Sequence, residues 1–343
     1  MLFPRTETIL RSIVEQYIAS ATPVPSQSIF NHYRLGVSPA TIRNEMAHLE
    51  QEGYITRLHP SSGSIPSDKG YRYYVETLSN IKLPPVEQRL ISHLFHQVET
   101  ELAEWLSLAS TITAQLAQNV AIVSMPKPAD CQFKHLELVA LQDSLALVVL
   151  ILRGARIKQQ LITFEQVIFQ PELTAIANKL NAAYSGLTSS QISAKGIELS
   201  PAEQQVTDCL LKIMEAEEEQ EYEVTYLDGL HFMLSQPEFA HSQRMLALTE
   251  LAEHRNLLRV IIPQELSSCW LQVIIGKENK AEVIHDCSVV ISRYGLPEEA
   301  VGTIGVVGPT RMPYARIISI VDYLSKVLSG LVAELYGRET PLS

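Results

Sequence analysis

The sequence lacks the features that mark metalloproteins, redox proteins and secreted disulfide proteins. Its four cysteines are widely separated and form no C-x-x-C pair; they are Cys131, Cys209, Cys269 and Cys287. Cysteines scattered in this way exclude a zinc ribbon or a dithiol redox motif. None of the ten histidines stands at metal-ligand spacing from a cysteine or a carboxylate. We interpret the histidines as surface residues and predict no metal and no cofactor.

Long apolar runs are also missing. One of the longest, Leu145–Leu152, is far shorter than the roughly 20 residues that a membrane-spanning helix needs. Residues 1–5 lead straight into an amphipathic segment, whereas a secretory signal would show a basic region followed by an apolar one. We therefore predict a cytoplasmic protein that makes no contact with a membrane.

Catalytic motifs are absent as well. The sequence contains no G-x-S-x-G nucleophile motif and no P-loop. Gly302, Gly305 and Gly308 form G-x-x-G-x-x-G, which differs from the dinucleotide fingerprint G-x-G-x-x-G. We interpret this run as a tight strand-to-helix connection with Arg311 in an internal contact; an anion at the helix start is the alternative. No catalytic residue is predicted, and we do not expect an enzyme.

Positive charge is scarce but unevenly distributed. The chain has 27 lysines and arginines against 38 aspartates and glutamates, a formal net charge of −11. Residues 1–82 hold eight basic and seven acidic residues, and the remainder holds 19 and 31. An acidic total argues against non-specific coating of nucleic acid. A local DNA-reading module remains possible, because charge effects decay within about 10 Å at physiological salt.

The near-neutral N-terminal part has the pattern of a small helical module. Hydrophobic periodicity and turn residues predict three helices, a strand and a turn, at 6–19, 27–33, 39–51, 54–58 and 60–64. A short return at Ile65-Pro66 follows, and Asp68 is expected to cap a fourth helix.

The third predicted helix has two distinct faces. Ser38 is a good N-cap, and Pro39 fits the first helical position, where the missing N–H costs nothing. At 100° per residue, Ile42, Met46 and Leu49 point to a core. The opposite face and its flanks carry small and polar residues: Ala40, Thr41, Arg43, Asn44, Ala47 and His48. Taken alone, this helix could equally be amphipathic with an idle solvated face.

Together these elements predict a winged helix-turn-helix, in which the third helix enters the major groove and the wing touches the DNA backbone. Alanines permit close approach, and hydroxyl, amide and guanidinium groups bind phosphates and base edges. The predicted DNA-binding residues on the third helix are Ser38, Ala40, Thr41, Arg43, Asn44 and Ala47. Those of the wing and the following turn are Arg57, His59, Ser62, Ser64 and Lys69.

After a boundary near residues 80–85, the pattern is mixed. A long helix is predicted at 86–118 and three strands at 134–141, 144–152 and 156–164. Further helices are predicted at 171–184, 201–220, 241–254 and 313–337, and short strands at 257–262, 270–276, 287–293 and 301–307. The helical stretch between two strand-rich stretches indicates an inserted subdomain. We therefore predict an α+β protein divided at 1–82, 86–165, 166–255 and 256–343.

Five stretches carry a resemblance to a known family. They are LGVSPATIRNEMAHLEQEGYI, HPSSGSIPSDKGYRYYV, LDGLHFMLSQPEF, IGKENK and GTIGVVGPTRMPYARII. In this order they resemble the HrcA heat-inducible transcription repressors, and the resemblance covers essentially the whole chain. It implies a winged-helix domain at 1–82 and a GAF-like α/β domain at 86–165 and 256–343. The inserted subdomain at 166–255 would be a dimerisation subdomain.

The resemblance also implies a function and partners. A homodimer would bind double-stranded DNA at an inverted-repeat operator upstream of chaperone operons, and a chaperonin would assist its active form. Heat would divert the chaperonin and lower repression. The alternative is a winged-helix regulator controlled by a small ligand in the GAF-like domain; an enzyme with a vestigial winged helix would need a catalytic motif.

Three positions depart from the family pattern. The family wing usually reads S-A-G-R-I-P, and Ser64 stands at the arginine. A basic residue is usual where Gln27 stands, and Asp is usual where Pro313 stands. The first two changes each remove a positive charge. Losing a phosphate contact should weaken binding and its salt dependence without changing sequence preference.

Overall fold

The computed structural model describes residues 2–32, 37–57, 62–79, 81–98, 101–126, 131–153, 157–219, 225–239, 271–296 and 300–337. It is a mixed α+β structure, as predicted. The chain divides into two compact units. The first comprises Met1–Met125, Val224–Tyr294 and Gly302–Ser343, and the second comprises Pro126–Glu223 and Gly295–Val301.

The helices in the described part of the chain are α1 Pro4–Ser20, α2 Ser26–His32, α3 Pro39–Gln51, α4 Asp68–Thr77, α5 Pro85–His96, α6 Leu102–Ala117, α7 Gln170–Tyr184, α8 Ser189–Ala194, α9 Pro201–Glu219, α10 Leu230–Leu234 and α11 Tyr314–Leu335. The strands are β1 Ile55–Arg57, β2 Ser64–Pro66, β3 Val120–Ser124, β4 Phe133–Gln142, β5 Leu145–Leu152, β6 Ile157–Thr163, β7 Thr225–Asp228, β8 Leu271–Ile275, β9 Cys287–Leu296 and β10 Ala300–Pro309.

The N-terminal module of the first unit consists of α1–α4 and the antiparallel pair β1–β2. Its helices bury one apolar stripe each, and the side chains meet in a shared core that includes Ile9, Ile13, Ile29, Ile42 and Leu49. The predicted helix 39–51 is confirmed residue for residue. The cap of α4 differs from the prediction: Ser67, not Asp68, accepts the first-turn N–H of Gly70 at 3.2 Å.

The rest of the first unit is a five-stranded sheet with strand order β7-β3-β10-β9-β8. Helices α6 and α11 bury their apolar faces in the same core as the sheet. The predicted helix 86–118 is wrong in one respect, because the structure has two helices, α5 and α6, in that range. Strands β3 and β7 were not predicted. Predicted elements at 241–254 and 257–262 lie outside the described residues.

The second unit is an antiparallel meander β4–β5–β6 covered by α7 and α9. Every second residue of β5 is buried, and those residues pack against α7 and α9. This unit begins at residue 126, because the three strands bury one face against these helices. The predicted subdomain at 166–255 stays a prediction. Hydrophobic periodicity identifies strands but does not indicate which helices will cover them.

Candidate nucleic-acid interface

Helix α3 is held in place at its N-terminus and along one face. Ser38 Oγ accepts the N–H of Thr41 at 3.2 Å, and the two hydroxyl oxygens lie 3.0 Å apart. Ile42, Met46 and Leu49 are buried in the module core. The remaining turns expose the face predicted to read DNA: Ala40, Arg43, Asn44, Ala47 and His48 are all exposed. The predicted two-faced helix is thus present in the structure.

The acidic side chains of α3 are tied to neighbouring elements. Glu45 accepts a hydrogen bond from Thr6 Oγ1 at 2.7 Å and lies 3.7 Å from Arg5 Nε, which fixes α3 against the start of α1. Glu50 lies 3.3 Å from Arg57 Nε on β1. Both carboxylates therefore face a cationic partner within the module, which reduces their repulsion of a phosphate near α3.

Arg43 and Asn44 differ from these residues. Both side chains are exposed, and neither makes a hydrogen bond or an ion pair with any residue that the structure describes. Their donors and acceptors are therefore directed to solvent. A guanidinium and an amide are the groups that pair in a bidentate way with guanine and adenine edges in the major groove.

A close backbone approach holds the β1–β2 hairpin beside α2. Val24 exchanges two backbone hydrogen bonds with Ser64, at 2.8 and 2.9 Å, so the chain before α2 extends the hairpin. Gly63 lies directly against this segment. A Cβ at residue 63 would come within 2.5 Å of backbone carbons of Pro23 and Val24. Only glycine permits this approach, and nothing in the sequence signals it beyond the turn composition.

The predicted wing residues have mixed positions. Ser64 is fully buried and accepts a hydrogen bond from Arg57 Nε at 3.3 Å, so its hydroxyl is not on a surface that a duplex could touch. Lys69 is exposed, but its Nζ donates to the carbonyl of Glu52 at 2.7 Å and sits over the Tyr54 ring.

Lys69 thus places its ammonium group on a carbonyl at the C-terminal end of α3, where a positive charge is favourable. Arg57 is half-buried between Glu50 and the Ser64 hydroxyl. Ser62 is half-buried next to Gly63, and His59 lies outside the described residues.

The other features considered in the sequence are the segment around Arg311, a metal site and a membrane-spanning helix. Arg311 makes the predicted internal contact: its guanidinium donates to Gln236 Oε1 at 2.7 Å, to the carbonyl of Ile18 at 3.2 Å, and to Glu238. Across the described ranges, no cluster of three His, Cys, Asp or Glu residues is placed to hold a metal ion. No helix there combines the length and hydropathy of a membrane span.

Comparison with known proteins places the chain in a family. The family described as "HrcA protein C terminal domain" matches residues 103–318, more than half of the chain. A Heat-inducible transcription repressor HrcA of Dehalococcoides mccartyi is 54% identical over 98% of this chain and 98% of its own. One of Roseiflexus castenholzii is 40% identical over 98% of this chain and 96% of its own.

A solved structure supports the fold. A hypothetical protein with a crystal structure at 2.2 Å resolution has a TM-score of 0.57 and 21% identity, with 97% of this chain and 98% of that chain covered. At this identity the likeness concerns the fold alone. The sequence matches, which span the chain almost from end to end, determine the family. The chain belongs to the HrcA family of heat-inducible transcription repressors.

Proposed function

We propose that this chain represses chaperone operons by binding an inverted-repeat operator as a homodimer, with α1–α4 and the β1–β2 hairpin acting as a winged helix-turn-helix. The observation that carries the proposal is the exposed face of α3. It presents Arg43 and Asn44 without partners among the described residues, while Glu45 and Glu50 are held by other elements. Ala40 and Ala47 on the same face leave room for the backbone to approach a groove.

In this proposal α3 reads base edges, and the other predicted contacts divide into two groups. Ser38 and Thr41 lie at the N-terminus of α3, where hydroxyls and backbone N–H groups favour phosphate. Arg57 and Lys69 act mainly by holding the hairpin and the end of α3 in position. The wing therefore contributes fewer phosphate contacts than the resemblance implies, because Ser64 replaces an arginine and is buried.

We assign the predicted GAF-like domain to the five-stranded sheet with α6 and α11. We assign the dimer contact to the face of the β4–β5–β6 sheet that α7 and α9 leave open. On the central strand of the three-stranded sheet, Leu145, Leu147, Val149 and Ile151 are half-buried on the face opposite to α7 and α9. On the flanking strands, Val139 is 41% exposed, Leu161 57% and Ile157 58%. An apolar sheet face of this kind normally marks an interaction surface, and a two-fold axis pairs it with itself.

The dimer surface is tested by substituting Leu161 with aspartate. A two-fold contact would place two new carboxylates in one apolar interface, so we expect Leu161→Asp to convert dimer to monomer in sedimentation velocity. Leu90→Asp is the matched control, because Leu90 is 54% exposed on α5, outside this face. A dimer that survives Leu161→Asp, or that is lost equally in the control, would rule out the assignment.

The ligand-controlled alternative receives less support from the packing. The core of the five-stranded sheet is filled by apolar side chains, among them Trp105, Val290, Ile304, Ile317 and Leu324. A filled core favours control through folding, and a domain with many short strands is one that a chaperonin could assist. Heat would then lower repression by drawing the chaperonin to other clients. The location of such a regulator is the cytoplasm, where its DNA lies.

The experiment that tests the proposed function is footprinting of the full-length chain on DNA upstream of the organism's own chaperonin genes, with and without purified chaperonin. We expect protection of an inverted repeat, stronger when chaperonin is present. Absence of protection at every chaperone promoter would refute the proposal. Protection that responds to small metabolites but not to chaperonin would favour the alternative.

A further inference from the structure

Helix α4 of the N-terminal module is bound to the loop that follows β8. Arg72 donates to the carbonyl of Val273 at 2.7 Å and makes a two-point contact with the Glu278 carboxylate, one arm at 2.8 Å. Glu278 also accepts the N–H of Ile275 at 2.8 Å. The hydrogen bond that Arg72 donates to Glu278 raises the pKa of Arg72 above its ordinary value, so the guanidinium remains charged. Arg72 thus connects two elements about 200 residues apart in sequence.

The same loop has a backbone shape that fits the start of α4. Gly276 has φ +52°, and a Cβ there would lie 2.5 Å from the Asp68 carboxylate oxygens. Asp68 accepts the N–H of Lys277 at 3.0 Å. The buried Asn279 side chain holds the loop by donating to the carbonyls of Gly276 at 2.7 Å and Cys287 at 2.9 Å. Gly276 and Lys277 therefore contact Asp68 at the start of α4, and Asn279 holds the loop in the shape that allows this contact.

A second contact fixes the end of α1. The Arg311 guanidinium, 15% exposed, donates to the Ile18 carbonyl in the last turn of α1. Beside it, the Tyr71 ring of α4 packs on Tyr314 with centroids 5.7 Å apart. Arg311 lies in the segment just before α11, and Tyr314 is the first residue of α11. Two independent contacts therefore bind the module to the sheet through both α1 and α4.

We propose that these contacts form a clamp, defined by Asp68 and Arg72 on one side and Gly276, Lys277 and Glu278 on the other, that fixes the orientation of α3 and so sets the half-site spacing the protein accepts. The inference rests on the proposed function. The clamp residues lie outside the exposed face of α3. They are positioning residues that act through α4, and α4 shares the module core with α3 through Tyr71 and Tyr74.

The physical reason is that spacing discrimination requires rigidity between the two recognition helices of a dimer. The clamp supplies the part of that rigidity that lies between α3 and the five-stranded sheet. Without the clamp, the described contacts that still join the module to the sheet are the chain between α4 and α5, the Arg311 hydrogen bond and apolar packing such as that of Tyr71 on Tyr314. Each added base pair moves a half-site by about 3.4 Å and rotates it by about 35°. A fixed module cannot follow that movement, whereas a released module can.

The test compares affinity across spacer lengths. The probe is the inverted repeat selected from a randomised duplex pool by the full-length chain, with its spacer shortened or lengthened by one, two and four base pairs, together with one isolated half-site. For the unaltered chain we expect affinity to fall at least about tenfold at two added base pairs. For Arg72→Ala we expect the fall to shrink to about threefold or less, with half-site affinity unchanged within about twofold.

Gly276→Ala opens the clamp from the other side without altering the module. It should relax spacer preference as Arg72→Ala does, because its Cβ would displace the Asp68 carboxylate. Gly337→Ala is its control, since Gly337 has φ +65° and a Cβ added there would meet nothing within 4 Å. Arg316→Ala, which breaks the Arg316–Glu87 pair at 3.3 Å, controls for loss of an ion pair elsewhere in the unit. Both controls should keep the spacer preference of the unaltered chain.

Three outcomes would overturn the clamp. Spacer preference unchanged in folded Arg72→Ala and Gly276→Ala proteins would show that the contacts do not set spacing. Tighter binding of all duplexes, half-site included, would show that the contacts restrain DNA binding instead. Equal relaxation in the two controls would show a general loss of rigidity. Failure of the unaltered chain to select any duplex would instead refute the proposed function, which keeps the two failures distinct.

Discussion

Replacement of Arg43 by alanine is the sharpest test of the α3 face. The side chain is exposed and unpaired within the described structure, so its loss should change the free energy of unfolding by no more than about 0.5 kcal/mol. Any effect on DNA binding is therefore an effect on the interface. Arg89, exposed on α5 and likewise unpaired there, provides the matched control Arg89→Ala.

The size of the effect depends on what Arg43 contacts. A bidentate contact with a guanine edge is worth about 1–3 kcal/mol, and a dimer contains two copies, so Arg43→Ala should cost about 2–6 kcal/mol. That corresponds to a loss of affinity of about 30-fold to 10⁴-fold, with relaxed preference at one base pair per half-site. A phosphate contact would instead reduce the salt slope by about 2 per dimer without changing base preference.

The assay is fluorescence anisotropy on a labelled operator duplex at four salt concentrations, repeated with single base changes in each half-site. Relaxed preference at a defined base pair would assign Arg43 to base reading. A lower salt slope with unchanged preference would assign it to a phosphate. Binding equal to that of Arg89→Ala at every salt concentration would refute the reasoning, since α3 would then not face DNA through Arg43.

Two further predictions concern stability. Ser64→Arg should lower the free energy of unfolding by about 1–3 kcal/mol in urea titration, because Ser64 is fully buried beside the half-buried Arg57 and the larger side chain must displace Arg57 to fit. An unchanged midpoint would contradict the packing of the hairpin. The Glu203 carboxylate accepts hydrogen bonds from Lys179 Nζ at 2.7 Å and from the N–H of Ser200 at 2.8 Å. The hydrogen bond from Lys179 lowers the pKa of Glu203 below its ordinary value of 4.5. Its charge therefore adds stability that is present above about pH 4.5 and is lost as the pH falls through the lowered pKa. Glu203→Gln should cost about 0.5–1 kcal/mol at pH 7 and flatten stability below pH 4.5; thermal melts across this range that stay parallel to those of the unaltered chain would argue against the pair.

The sequence was most informative where local signals agree. For α3, the Ser38 cap, the Pro39 position and the apolar spacing all indicate the same helix, and the structure has it at 39–51. The helix predicted at 86–118 failed because its apolar stripe continues through the break between α5 and α6. Periodicity records which face is apolar, whereas the end of a helix depends on local turn chemistry and on the packing of both pieces.

The positions of the wing residues required the structure. Ser64, Lys69 and Arg57 are polar residues close to a predicted turn, and composition alone assigns them to the surface. In the structure Ser64 is buried because Val24 pairs with it, and Lys69 is committed to a carbonyl at the end of α3. Both contacts join residues more than 15 positions apart in the chain. No local pattern encodes such pairings, so the sequence could not separate the wing residues that hold the module from those that face outward.

The charge of the N-terminal module limits how the module could bind DNA under the proposed function. Its net charge is about +1 over residues 1–82, and several of its cations are already paired: Arg5, Arg11 and Arg57 each face a carboxylate within the module. Arg72 is committed to Glu278. Few cations therefore remain to replace counterions, so non-specific affinity should be low and the salt slope shallow. If the proposed function holds, specific binding would come from base contacts of α3, doubled by the proposed dimer, and from the module orientation that the proposed clamp fixes, because a preorganised pair of helices loses less entropy on binding.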